Sequence, residues 1–321
     1  MSCKILLDTP GIMSPGSTMY GRVVCTFISN LNIREIRCKL KGTEDTRIRR
    51  GKNTYIGENE FLNLKLRLLG ESNLQSGVYE YPFYFPLPQD IPSSFQGEFG
   101  SISYSIKAVV DIPFSFDYKD KLTFVVTALT DFNKIRQNIR LTPITYQNEK
   151  NLCCWCCASE PITINLSLKK NAFVLGELAK VTVEVTNLSN KNVEELVLTL
   201  IRLTYYQSEA DGMIYTKTQE LLGFQTATGV GAHGQRTYLL NFQMPHSILL
   251  YNLASCQLIR QFFTLRAEAV LPIWHKSLTV ETDIKLGHIP LREDESVETT
   301  TLGVIENVDM SSVPPRYSAL F

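Results

Sequence analysis

Three local patterns in this 321-residue chain invite a chemical reading. Cys153-Cys154-Trp155-Cys156-Cys157 holds four of the eight cysteines in one run. A structural zinc wants four tetrahedral ligands, commonly from two separated pairs, and a single compact run without a nearby histidine suits that geometry poorly. Two readings remain for Cys153, Cys154, Cys156 and Cys157: packing in a partly buried linker, or S-acylation by thiols resting beside an aromatic at a bilayer surface. Gly229-Val-Gly231-Ala-His-Gly234 fits GxGxxG, yet Tyr238, Leu240 and Phe242 then alternate as a strand. A dinucleotide site needs a helix there, so a plain glycine loop is expected. His233, His246, His275 and His288 form no HExxH, and no serine stands in GxSxG. No catalytic residue, metal ligand or cofactor is assigned, and an enzyme is not expected.

Recognition chemistry is better represented. Between Arg34 and Lys52 lie eight cations against Glu35, Glu44 and Asp45. Alternation puts Arg37, Lys39 and Lys41 on the outward face of one strand, and a neighbouring strand carrying Arg47 and Arg49 would extend the positive surface. Such a face suits anionic lipid or an acidic cargo tail; the plain alternative is a solvated sheet face. Near the end, Val313-Pro314-Pro315-Arg316-Tyr317 is a PPxY motif. Consecutive prolines fix φ near −65° and bias the segment to the extended left-handed helix that WW domains read in an aromatic groove. Pro314, Pro315 and Tyr317 are the expected contacts.

The elements that must position these residues follow from composition and periodicity. With 44% hydrophobic and 20% charged residues, the chain is globular and long enough for two domains. Lys+Arg and Asp+Glu balance at 32 each, which argues against a dedicated nucleic-acid binder. The charge is segmental: residues 1–150 carry 19 basic and 15 acidic, 151–291 carry 11 of each, and 292–321 carry 2 and 6. No apolar run approaches the span of a bilayer, and Asp8 and Pro10 interrupt any secretory core, so a cytosolic protein with reduced thiols is expected. Cys25 and Cys38 fall in apolar strand patterns as small hydrophobes.

Period-two alternation runs throughout, as in Ile36-Arg-Cys38-Lys-Leu40-Lys and Leu62, Leu64, Leu66, Leu68. Turn signals at Asn30, Gly42, Gly51, Gly57, Gly70, Gly77, Asn187, Gly212 and Gly223 suggest short strands between them. The pattern also repeats. Gly21 before Arg22–Ile28 is matched by Gly176 before Lys180–Asn187, Pro88 by Pro245, and Pro113 by Pro272, at offsets of 155, 157 and 159. The expectation is two β-sandwiches of one topology, about seven short strands each, with Gly21 and Gly176 in equivalent turns. Their bounds are 1–150 and 161–291, joined by a Cys-rich linker at 151–160 and followed by a short flexible acidic tail at 292–321.

Tyr81-Pro-Phe83-Tyr-Phe85-Pro-Leu87-Pro88, Ile91-Pro-Ser-Ser-Phe95-Gln-Gly97 and Gly100-Ser-Ile102-Ser-Tyr104 resemble the N-terminal domain of the α-arrestins, the arrestin domain-containing proteins. Pro161-Ile162, Gly176-Glu177, Cys256 and His288-Ile-Pro290-Leu291 resemble the C-terminal domain. The resemblance implies an all-β chain of two tandem immunoglobulin-like sandwiches, the arrestin fold, without catalytic activity. It further implies an adaptor that brings WW-domain HECT-type ubiquitin ligases to membrane-protein cargo such as receptors and transporters. The expected location is the cytoplasm, with recruitment to plasma membrane and endosomes. A subgroup typified by thioredoxin-interacting protein uses a cysteine resembling Cys256 in a mixed disulfide with thioredoxin; many members carry that cysteine without the activity. An endosomal sorting scaffold is the third reading.

Overall fold

The computed structural model describes residues 2–9, 11–154, 157–158, 160–208 and 214–292. The expected all-β architecture is what forms, and among the described residues the only helical element is a short 3-10 turn at Arg136–Asn138. No helix is long and apolar enough to cross a membrane. The first half contributes β1 (Ser2–Leu7), β2 (Ile12–Met13), β3 (Thr18–Phe27), β4 (Leu31–Ile33), β5 (Glu35–Arg50), β6 (Asn53–Leu69), β7 (Ser72–Leu74), β8 (Gly77–Pro86), β9 (Phe95–Gln96), β10 (Gly100–Asp111) and β11 (Tyr118–Val126). The second half contributes β12 (Ile144–Lys150), β13 (Cys153–Cys154), β14 (Cys157–Ala158), β15 (Ile162–Leu168), β16 (Ala172–Val174), β17 (Leu178–Asn187), β18 (Val193–Ser208), β19 (Ile214–Val230), β20 (Gly234–Gln243), β21 (Ile259–Val270) and β22 (Leu278–Gly287).

Sheet order confirms the duplication. One sheet runs β1-β3-β8 in the first sandwich and β12-β15-β17-β20 in the second; the facing sheet runs β2-β11-β10-β5-β6 and β16-β22-β21-β18-β19. Even the short parallel pairings recur, β2 with β11 and β16 with β22. Alternation predicted the buried faces well. Ile36, Cys38 and Leu40 are fully buried on β5, and Val181, Val183 and Val185 on β17.

Three expectations need correction. Gly21 is not a turn residue: it sits inside β3, where a Cβ would lie 2.6 Å from the Leu6 carbonyl oxygen and from the Phe83 ring. The turn is made by Gly16, whose φ of +79° matches +78° at Gly176 and requires a residue without a Cβ. Gly42, Gly57 and Gly223 also lie within strands, so β5 and β6 run unbroken for 16 and 17 residues instead of as short pieces. Gly42 is there because a Cβ would strike the Phe61 ring, and the β5–β6 register shifts beside it. Finally, β12 falls in the stretch 1–150 assigned to the first sandwich, yet it hydrogen-bonds along β15 in the second. Its half-exposed Ile144 and Tyr146 give the same alternation either way, so pattern alone did not choose its sheet.

The two sandwiches share a core. Tyr206, Leu253, Leu258 and Ile259, all from the second half, are buried among Leu40, Ile48, Phe95, Ile102 and Tyr104 of the first. At this seam Glu44 of β5 has no solvent exposure. One carboxylate oxygen accepts the amides of Leu258 at 2.8 Å and Ile259 at 2.7 Å, and the other accepts Gln257 N–H at 3.0 Å and Asn59 Nδ2 at 3.3 Å. Removing water from a carboxylate is costly, and three backbone donors aimed at it are what offset that cost. Alongside, Thr46 Oγ1 donates to Gln207 O at 2.6 Å, and Ser93 N–H donates to Asn252 O while Ser93 Oγ accepts Asn252 N–H and Ala128 N–H.

The chain crosses back once more. Thr130 N–H donates to His288 Nδ1 at 3.0 Å, and Phe132 N–H donates to Ile289 O at 3.1 Å. Burial holds the His288 pKa below its ordinary 6.5, keeping the imidazole neutral as the acceptor. The unfolded chain therefore binds the extra proton. The stability contributed by His288 is complete above 6.5 and is lost as pH falls from there through the lowered folded value.

Two outcomes are expected. Glu44→Gln places an amide donor before backbone donors and should cost about 2–4 kcal/mol in chemical denaturation; a midpoint equal to that of the wild type would remove Glu44 from this role. Thermal midpoints measured above and below pH 6.5 should differ more for the wild type than for His288→Asn, which cannot titrate there. Equal differences would show that the Thr130 contact is not pH-linked.

Candidate functional site

The outward face of the first sandwich's larger sheet is where most of the predicted cations fall. Residues of odd number on β5 point away from the core, so Arg37, Lys39 and Lys41 share a face as expected. Acids largely neutralise them. Arg37 lies 2.5 Å from Glu35 and 3.1 Å from Asp111, and these two carboxylates hold its pKa up. Glu60 lies 2.8 Å from Lys41 and 3.6 Å from Lys39, and its pKa is lowered chiefly by the Lys41 contact. Arg47 and Arg49 are exposed near the β5–β6 turn, beyond Asp45 and Glu58, which stand opposite one another. The five residues therefore do not form one continuous positive strip.

A different set does. Cross-strand register places Lys65 of β6, Lys39 of β5, Lys107 of β10 and Lys121 of β11 in one row across four adjacent strands. Lys65, Lys107 and Lys121 are exposed, and no carboxylate among the described residues lies within ion-pair distance of them. Arg67, Arg37 and Lys119 occupy the next row. The single strands show each lysine as one polar position in an alternating run; only the register, unreadable from one sequence, aligns them.

At the same end of the sheet, the β10–β11 connection ends in Phe114 and Phe116, which are 104% and 94% exposed. Phe114 has φ +58°, a left-handed conformation that a bulky residue rarely adopts. The equivalent β21–β22 connection carries Ile273 and a Trp274 that is 96% exposed at φ +86°. Both hairpins thus present apolar side chains to water where turn chemistry would favour glycine or asparagine.

The other sequence candidates fall elsewhere. Cys256 is half-buried against the shared core; burial first, and then the neighbouring Glu44 charge, push its thiol pKa up, away from the thiolate that disulfide exchange needs. Cys153, Cys154 and Cys157 lie in the short β13–β14 hairpin, and Cys156 lies outside the described residues. No metal-binding group of His, Cys, Asp or Glu occurs among the described residues. Gly229–Gly234 closes the β19–β20 hairpin with His233 at φ +56°, as a plain loop would. Pro314, Pro315 and Tyr317 lie outside the described residues.

Comparison with known proteins agrees with this architecture. Residues 3–133 match the model of the arrestin (or S-antigen) N-terminal domain, and residues 158–291 match that of the C-terminal domain. The chain is 25% identical over 259 residues to arrestin domain-containing protein 17 of Caenorhabditis elegans, covering 78% of this chain and 58% of that protein. It is 26% identical over 300 residues to mouse arrestin domain-containing protein 4, covering 88% and 70% respectively. Against rat arrestin domain-containing protein 1 it is 25% identical over 286 residues, covering 88% and 63%. Those relatives thus extend well beyond the region they share with this chain. Two tandem sandwiches of one topology, each matched by its own arrestin domain, make this chain a member of the arrestin domain-containing, or α-arrestin, family.

Proposed function

We propose that this chain is a non-enzymatic adaptor that recruits WW-domain HECT-type ubiquitin ligases to membrane-protein cargo, leading to ubiquitination, endocytosis and endosomal sorting. Arrestin-family proteins are in general adaptors without catalysis, and family membership supports that part of the reading. The observation that carries the ligase-specific part is the PPxY motif at Val313–Tyr317, which follows the last strand by some distance in sequence. Two rigid sandwiches offer broad surface for cargo, and a short linear motif adds a second, independent contact. In this division of labour the ligase never has to recognise the fold. Work at the plasma membrane and endosomes, from a cytoplasmic pool, follows from such cargo.

Pre-ordering of Pro314 and Pro315 lowers the entropy cost of docking, yet the contact is small, so a Kd in the micromolar range is expected, about −7 to −8 kcal/mol. The test is calorimetric titration of WW domains from HECT-type ligases into the full chain and into Tyr317→Ala. The wild type should bind and Tyr317→Ala should not, while Arg316→Ala should bind nearly as the wild type does. Equal heats for wild type and Tyr317→Ala would end the ligase-adaptor reading.

A further inference from the structure

Lysines placed directly opposite one another on neighbouring strands repel, and a sheet gains nothing from holding them there. Lys65, Lys39, Lys107 and Lys121 nevertheless stand side by side across four strands, a row of about 14 Å at ordinary strand spacing. Only Lys39 has a carboxylate in reach, at 3.6 Å, among the described residues. The fold does not require this row. In the second sandwich, the corresponding row through Val197 (fifth residue of its 16-residue strand, as Lys39 is of its own) reads Thr226, Val197, Glu268 and Thr279.

Acids stand at both ends of this face, Asp45 opposite Glu58 toward the β5–β6 turn and Glu35 opposite Asp111 at the other end, where they hold Arg37. Near that second end the β10–β11 hairpin exposes Phe114 and Phe116, followed on β11 by Lys119, which pairs with Asp117 at 3.1 Å, and by Lys121. Cations beside water-exposed aromatic rings are the combination that holds a protein at the headgroup boundary. Neither feature is explained by folding, and two of the four lysines, Lys107 and Lys121, lie on the strands that the Phe114–Phe116 hairpin joins.

From this we infer that the lysine row and the Phe114–Phe116 hairpin tip form a contact surface for a bilayer rich in anionic headgroups. A peptide is the poorer fit. Extended peptides dock on strand edges or in grooves, whereas this row crosses the middle of a sheet face. A planar array of phosphates meets a row and an adjacent apolar tip together. The inference goes beyond ligase recruitment and does not rest on it, since it uses no residue past Lys121.

The experiment is co-sedimentation of the full chain with phosphatidylcholine vesicles carrying about a third phosphatidylserine, against pure phosphatidylcholine vesicles, at low and high salt. The wild type should sediment only with the anionic vesicles and be released by salt. Lys65→Gln/Lys107→Gln/Lys121→Gln removes three charges that hold no ion pair among the described residues, so folding is not at stake. It should weaken binding roughly a hundredfold, at roughly fivefold per lysine. The matching Lys→Arg triple should bind as the wild type does, and Phe114→Ser/Phe116→Ser should lose roughly tenfold. Vesicle binding unchanged in the Gln triple, or absent in the wild type at low salt, overturns the inference. So does capture of a poly-glutamate peptide that the Gln triple loses while vesicle binding persists; that result would assign the row to an acidic peptide. Tyr317→Ala should sediment normally, which keeps this outcome separate from that of the ligase experiment.

Discussion

A carboxylate buried where two sandwiches meet is the interaction on which the rest of this molecule depends. Glu44 accepts the amides of Gln257, Leu258 and Ile259 and thereby fixes the start of β21 against the middle of β5. Other contacts between the sandwiches gather around it. Ile259 and Tyr206 enter the first core, Thr46 reaches the Gln207 carbonyl, and glycine is required at position 100, where a Cβ would meet the Asp45 carbonyl oxygen at 2.6 Å. Two tandem domains joined by a linker would ordinarily move against one another. Here a shared core and a buried carboxylate whose three backbone donors all come from the other sandwich oppose such motion.

The alternation that made the fold legible also contained Glu44, had its phase been followed. Ile36, Cys38 and Leu40 set the inward parity of β5, and the same parity carried forward reaches Gly42, Glu44, Thr46 and Ile48. An acid on the inward phase is a signal, but counted among surface charges it looked like dilution of a basic face. Glycines misled for a related reason. Gly16 and Gly21 look equally suited to a turn; only the Phe83 ring and Leu6 carbonyl show that Gly21 serves close packing instead. The repeat survived this error because strand order, unlike the position of one turn, is constrained by many residues at once.

Electrostatics on the outward face shows the opposite limit. Side-chain period is a property of one strand and can be read locally, whereas the lysine row exists only after four strands have been set in register by turns and bulges. The β5–β6 shift beside Gly42 decides which residue of β6 faces Lys41 and brings Glu60 within reach of it. Arg37, Lys39 and Lys41 were rightly placed on one face, but their neutralising partners come from Glu35 on the same strand, Asp111 on β10 and Glu60 on β6. On that one face Arg37, Lys39 and Lys41 are paired, while Lys65, Lys107 and Lys121 keep no carboxylate in reach among the described residues.

A shared core and the Glu44 contact require the two sandwiches to open together. Native-state hydrogen exchange measures this directly, amide by amide. The amides of Leu258 and Ile259 should be as protected as that of Leu40 at the centre of β5, and all three should exchange only through global unfolding. If Leu258 and Ile259 exchange as fast as exposed loop amides while Leu40 stays protected, the sandwiches separate without unfolding. The seam described here would then not hold the molecule together.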